Sequence, residues 1–193
     1  VTYTAKDSAG NESSGSFNVR VNDGEAPTFA QSLGVIEVPT DAGLSTARVT
    51  WDAPDVQDNA AGVVVSFSHP SGSVFPLGTT TVNVTATDVS GNQASESFDV
   101  VVVDEERPVF ESIPADITLI LPSGGESAVV TWDDPAVSDN VAVTSSVSSP
   151  NSGSSFEIGV HTINLTASDL AGNQSVETFV VFVLPTGNIV SVS

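Results

Sequence analysis

The sequence predicts an all-β chain of β-sandwich modules joined in tandem, and three observations carry that reading. Hydrophobic residues make up 39% of the 193 positions. They are rich in valine and isoleucine with threonine between them, branched types that suit a pleated strand better than a helix. Apolar positions alternate over short runs divided by Gly, Pro, Asn, Asp and Ser, and no segment carries the 3.6-residue period of a substantial helix. The chain also repeats. Asp7, Asp88 and Asp169 each open an Asp-x-x-Gly-Asn turn at a constant offset of 81 residues. The same offset carries Trp51 onto Trp132, Asp58-Asn59 onto Asp139-Asn140, Phe75 onto Phe156, Gly78 onto Gly159, Asp23 onto Asp104, and Pro27-x-Phe29 onto Pro108-x-Phe110. A period of this length exceeds a solenoid unit and suits an independently folding module.

The register of the repeat sets the organisation. Residues 1–23 correspond to the tail of a module, 24–104 and 105–185 are complete modules, and 186–193 form a tail or linker. Within the first complete module the strands fall at about 28–31, 34–39, 44–51, 62–68, 73–76, 79–87 and 94–103. Val82, Val84 and Ala86 point to one side, and Asn83, Thr85 and Thr87 to the other. Ser90-Gly91-Asn92 then turns the chain back into Phe98, Val100 and Val102. Two such sheets packed face to face make an immunoglobulin-like sandwich, and successive modules are expected to stack end to end with Pro27 and Pro108 restricting each junction.

Charge and composition exclude several functions. Against 24 Asp and Glu stand 4 Lys and Arg, for a net charge of −20 and a pI near 4.1, which disfavours nucleic acid as a partner. Cysteine and methionine are both absent, so disulfides, thiolate metal sites and cysteine nucleophiles are impossible. No stretch is long and apolar enough to span a membrane, and the first residues lack the order of a secretion signal, so any such signal is expected to lie outside this sequence. His69 falls opposite Pro150 and His161 opposite Thr80 at the repeat offset, so the two histidines do not recur as a catalytic or zinc pair. The carboxylate pairs a hydrolase would need sit in repeated loops without an implied cleft, and the chain reads as a non-enzyme. Trp51 and Trp132 each close a predicted strand, a place for core filling rather than sugar stacking.

The run Pro70-Ser71-Gly72-Ser73-Val74-Phe75-Pro76-Leu77-Gly78-Thr79-Thr80-Thr81-Val82, with Thr85-Ala86-Thr87-Asp88-Val89-Ser90-Gly91-Asn92 and Phe98-x-Val100-x-Val102-x-Asp104 up to Pro108, resembles the hyalin repeat, or HYR, family. The resemblance covers both complete modules and the partial one. It implies an immunoglobulin-like fold in extracellular adhesive proteins, found in animals and in large repetitive bacterial surface proteins. The common animal pattern carries a cysteine pair that aligns with Phe67 and Glu96, and with Ser148 and Glu177 in the next copy. Its absence here favours a bacterial source and leaves ions at the module junctions as the candidate replacement for the stability a disulfide supplies.

The acidic residues gather where such ions would sit. In an immunoglobulin-like module the loop after the second strand and the last hairpin turn lie at the pole where the chain enters. The first junction gathers Asp23, Glu25, Asp52, Asp55, Asp58, Asn59 and Asp88. The second gathers Asp104, Glu105, Glu106, Asp133, Asp134, Asp139, Asn140 and Asp169. Calcium takes six to eight oxygens from carboxylates, carbonyls and water, and these loops could supply them. Asp and Asn also populate turns without any ion, which accounts for most of the role of Asp88-x-x-Gly91-Asn92. For the linker acids calcium is the favoured reading, because several carboxylates crowded in one short segment need a counter-charge.

The expected function is a structural or adhesive segment of an extracellular fibre or cell-surface stalk, with neighbouring repeats or other filament subunits as partners. The alternatives are a receptor-like module that binds protein or glycan through its polar loops, and an accessory module of a large secreted enzyme. Recurrence of those loops at one spacing favours the spacer. Sequons occur at Asn11, Asn83, Asn164 and Asn173, a number that chance supplies in a chain so rich in Ser and Thr. Residues 1–23 carry only the last hairpin of a module and would leave Tyr3, Phe17, Val19 and Val21 along an open edge. A longer chain, or strands donated by another subunit, is expected to complete them, and Ile189, Val190 and Val192 could serve as such a strand.

Overall fold

The computed structural model describes residues 1–187, so Ile189, Val190 and Val192 lie outside the described residues. Those residues form eighteen strands and no helix. The first two are β1 (Thr2–Lys6) and β2 (Glu12–Ser16); β3 (Thr28–Phe29), β4 (Ile36–Pro39), β5 (Thr46–Arg48) and β6 (Val56–Gln57) follow. Next come β7 (Val64–Phe67), β8 (Val74–Pro76), β9 (Gly78–Thr87) and β10 (Gln93–Val103). The second repeat supplies β11 (Val109–Phe110), β12 (Ile117–Ile120), β13 (Ser127–Val129), β14 (Val137–Ser138), β15 (Val143–Ser149), β16 (Ser155–Glu157), β17 (Gly159–Asp169) and β18 (Gln174–Leu184). The chain divides into two compact units. One is made of residues 1–34, 51–70 and 82–98, the other of 35–50, 71–81 and 99 onward.

The second repeat lies wholly within the latter unit and displays the fold most completely. Its main sheet runs β12-β18-β17-β15, faced by the short pairs β11-β14 and β13-β16. β17 and β18 form an antiparallel hairpin from Gly159↔Val183 to Ser168↔Gln174. Because side chains alternate across a strand, Ile163, Leu165 and Ala167 turn inward on β17, and Phe179, Val181 and Val183 on β18, all of them buried. Leu121, Val130 and Phe156 close over them. Trp132 packs edge-on against Phe179 at 5.2 Å and at a tilt against Phe156 at 6.2 Å, as a core-filling residue. β12 joins the sheet edge in parallel with β18, Ile117↔Val181 through Ile120↔Leu184.

The first repeat carries the same strand order, β4-β10-β9-β7, with β3-β6 and β5-β8 as its short pairs. β4 again pairs in parallel with β10, from Val100↔Ile36 to Val103↔Pro39. Trp51 lies 5.2 Å from Phe98 and 5.9 Å from Phe67. Residues 1–21 hold the β1-β2 hairpin, where Tyr3 meets Phe17 at 6.5 Å and Val19 and Val21 stand open to solvent.

Some strands differ from the expected bounds. The run expected at 44–51 is a strand only over Thr46–Arg48, so Trp51 follows the strand rather than ending it. Beyond Arg48 the chain leaves the regular ladder, although Val49 N–H still donates to the Ser73 carbonyl and Gly72 N–H to the Val49 carbonyl. Pro54, without an N–H, cannot extend it. The strand Val56–Gln57 is too short for any alternation to announce it. The cysteine positions implied by the resemblance also fail on geometry. Ser148 and Glu177 both pair with Leu165 from opposite sides of β17. Two strand spacings put their backbones about 10 Å apart, beyond the roughly 7 Å limit of a disulfide.

Candidate metal centre

Each site is built on the last hairpin turn of a module. Asp169 ends β17, and its Oδ1 accepts the backbone N–H groups of Gly172 at 2.6 Å and Asn173 at 2.8 Å. Its Oδ2 accepts the Asn173 side-chain amide at 2.8 Å. Gly172, at φ 95°, supplies the left-handed step that lets the turn fold over the carboxylate. Asp88 repeats the pattern with the N–H groups of Ser90 and Asn92 and the Asn92 side-chain amide, Gly91 taking the left-handed step, and Asp7 repeats it with Ala9 and Asn11. For Asp88 and Asp169 burial raises the carboxyl pKa. Hydrogen bonds from the following Asn side chain and from the turn's backbone amides outweigh it, so both stay below the ordinary 3.8.

The same Asn ties the linker down. The Asn173 side-chain amide also donates to the Asp104 carbonyl at 3.2 Å, and that of Asn92 to the Asp23 carbonyl at 3.5 Å. Thus the turn motif is both a local fold and a clamp on the linker aspartate. The third acid directly follows the short strand after the tryptophan, β14 in the second repeat and β6 in the first. Asp139 Oδ2 accepts the N–H groups of Val141 and Ala142, and Asp58 Oδ2 that of Ala60.

Two carboxylate triads result, Asp23-Asp58-Asp88 and Asp104-Asp139-Asp169, with one oxygen of each acid within 4.8 Å of the others. Asp104 and Asp169 are 8% and 3% exposed, and Asp88 is 6% exposed. In each triad the linker and loop acids use one oxygen and leave the other buried with no hydrogen-bond partner: Asp23 Oδ2 and Asp58 Oδ1, Asp104 Oδ2 and Asp139 Oδ1. Among the described residues no ion pair reaches either triad; Lys6 pairs with Glu12 at 2.8 Å. Buried, unpaired and mutually repelling oxygens are costly to keep. An all-oxygen donor set of this kind suits a hard divalent cation.

The remaining acids singled out in the sequence are placed as follows. Glu25 Oε2 accepts the Asn59 amide at 2.9 Å, and Asn59 also donates to Asp23 Oδ1 at 3.2 Å. Glu106 Oε1 accepts the Gly43 N–H at 2.8 Å. Asn140 donates to Thr40 Oγ1 at 3.0 Å and to the Leu44 carbonyl at 2.9 Å, while its Oδ1 is buried without a partner. Asp52, Asp55 and Glu105 are exposed and outside both triads. Asp133 and Asp134 line a separate cleft with Ser112–Ala115. Sequence reasoning missed the apolar wall beside the second triad, formed by Leu77, Val103, Val141 and Leu170 with Asp104. The exposed Leu170 inside an acidic turn was its one available signal.

The HYR domain family matches residues 22–102 and 103–183. Hyalin of Lytechinus variegatus is 32% identical over 190 residues, covering 92% of this chain. The "Sushi, von Willebrand factor type A, EGF and pentraxin domain-containing protein 1" of Rattus norvegicus is 33% identical over 171 residues, covering 83%. The chain spans 35% of the first relative's length and 5% of the second's. Among solved structures, the titin I-band fragment I67–I69 superposes with a TM-score of 0.44 at 16% identity, covering 96% of this chain and 74% of that one. Protocadherin-24 EC1-2 gives 0.39 at 18%, covering 83% and 99%. The expectation of a bacterial source is overturned, since these sequence relatives are animal proteins. HYR repeats are non-enzymatic modules of the adhesion type, and this chain belongs to the HYR domain family.

Proposed function

We propose that the chain is a structural, adhesive segment of an extracellular fibre or cell-surface stalk, in which calcium held at each module junction stiffens the passage from one module to the next. The supporting observation is the pair of buried, partnerless carboxylate oxygens that recurs in both triads at the same offset of the sequence. Asp23, Asp58 and Asp88 would hold one ion, and Asp104, Asp139 and Asp169 another. Asn59, Asn140, Glu25 and Glu106 brace the surrounding loops, and neighbouring repeats of the same protein are the nearest partners. No helix among the described residues is long and apolar enough to cross a membrane.

The test is calorimetric. A cation that binds only the folded state stabilises by RT ln(1 + [L]/Kd), about 2.7 kcal/mol at a hundredfold excess over Kd. Titration calorimetry is expected to give one calcium per triad, and melting in calcium should exceed melting in EGTA. Identical melting curves with no heat of binding would refute the proposal.

A further inference from the structure

The structure sorts the four sequons into two pairs. Asn11 and Asn173 are spent inside the turn motif: the Asn11 amide donates to Asp7 Oδ2 at 2.7 Å, and that of Asn173 to Asp169 Oδ2 and the Asp104 carbonyl. An N-linked sugar replaces one of the two amide hydrogens, so at Asn173, which uses both, it would break one bond and loosen either the turn or the linker aspartate. At Asn11 it would have to fit beside the Asp7 carboxylate. Asn83 and Asn164 differ on every count. Each lies mid-strand between two fully buried residues, Val82 and Val84 in one case and Ile163 and Leu165 in the other, so alternation turns it to the outer face, where it is exposed. Their side-chain amides have no hydrogen-bond partner among the described residues. Only the backbone is engaged, as at Asn83, whose N–H donates to Ser68 Oγ and whose carbonyl accepts the Ser68 N–H. The residues paired with Asn164 across the ladder, Ser149 and Thr178, are small. Both sequons carry threonine at the third position and stand one repeat apart.

We propose that Asn83 and Asn164 are N-glycosylation sites, bearing oligosaccharide on the solvent face of the main sheet of each repeat. The amide nitrogen forms a bond to the anomeric carbon of an oligosaccharide carried on a lipid pyrophosphate. The bond from that carbon to the pyrophosphate oxygen breaks, the lipid pyrophosphate leaves, and the nitrogen gives up a proton. In the second repeat the glycan would stand among the exposed Val147, Val160 and Val176, which share its face of the sheet, and screen them from contact with other molecules. The proposal rests on the reading of the chain as an exported protein, because the lipid-linked donor is met in the secretory lumen.

The full chain, expressed behind a secretion leader in animal cells, is treated with peptide-N-glycosidase in heavy-oxygen water and mapped by peptide mass spectrometry. Both the released protein and the microsomal pool are read, so that transfer is scored whether or not the chain leaves the cell. The expected result is oligosaccharide at Asn83 and Asn164 and unmodified asparagine at Asn11 and Asn173 in folded, protease-resistant material. N83Q together with N164Q should collapse the mass to that of the bare polypeptide. Bare asparagine at 83 and 164 in both pools, or glycans placed mainly on Asn11 and Asn173, would overturn it. Calcium titration of carbohydrate-free chain from bacteria tests the junction proposal independently, so the two can fail separately.

Discussion

Asn173 and Asn92 are short side chains with two separable tasks, closing a turn around an aspartate and holding the carbonyl of the linker aspartate. Asn173→Ala removes both contacts at the second triad and neither at the first. Calorimetry should therefore lose one bound calcium and keep the other, with a melting temperature a few degrees lower even in EGTA. Asn140→Ala separates bracing from binding in another way, because Asn140 reaches Thr40 and Leu44 through its nitrogen while its oxygen remains free. The acid limb of stability is also set at this scale. Asp7, Asp88 and Asp169 have carboxyl pKa values below 3.8 in the folded chain. A depressed folded pKa gives stability that is complete above the unfolded value and is lost as pH falls through the folded one. In chain freed of calcium beforehand, the contribution of these three groups should stay level from neutral pH down to about 5 and decline below it. Asp88→Asn should make that decline shallower, as thermal melts across pH would measure.

Among the elements, the β17-β18 hairpin carries the most information. Its alternation exposes the pattern Ile163, Leu165, Ala167 against Phe179, Val181, Val183 to any reader of the sequence, and its turn is signalled by Asp169 and Gly172. Ile163→Ala should cost about 2–5 kcal/mol in chemical denaturation, the range for truncating a fully buried aliphatic residue. Gly172→Ala should also destabilise, because a left-handed φ of 95° penalises any Cβ. The long strands and the repeat were legible because period-2 patterning is local. The two-residue strands β3, β6, β11 and β14 were faint or silent, being too short to alternate. The parallel attachment of β4 and β12 was invisible, since pairing partners 64 residues apart leave no local trace. At the triads, the sequence brought forward more candidate ligands than the geometry gathers, because turns and ion sites draw on the same Asp and Asn residues. Only three-dimensional register distinguishes Asp139, in a triad, from Asp133, six positions earlier on the other side of β14 and lining another cleft.

For the molecule as a whole, the net charge of −20 makes cations of any kind stabilising, and that general effect must be separated from site binding. Monovalent salt at about 1 M shortens the Debye length to roughly 3 Å and relieves diffuse repulsion. Calcium at far lower concentration should raise the melting temperature beyond that salt plateau, and Asp104→Asn with Asp23→Asn should erase the excess while leaving the salt response intact. One consequence of the parallel strand pairs concerns force. The chain enters the second repeat ahead of β12 and leaves it after β18, and the two strands run the same way with Ile117↔Val181 and Ile120↔Leu184 as the ends of their shared ladder. Tension applied to the two termini therefore drags the strands past each other lengthwise. Every rung of the ladder takes the strain at once, whereas an antiparallel pair pulled from its open end would unzip rung by rung. In a single-molecule stretching experiment the repeat should yield abruptly and at high force, and a proline at Leu119, which deletes one N–H from that edge strand, should lower the rupture force more than the melting temperature.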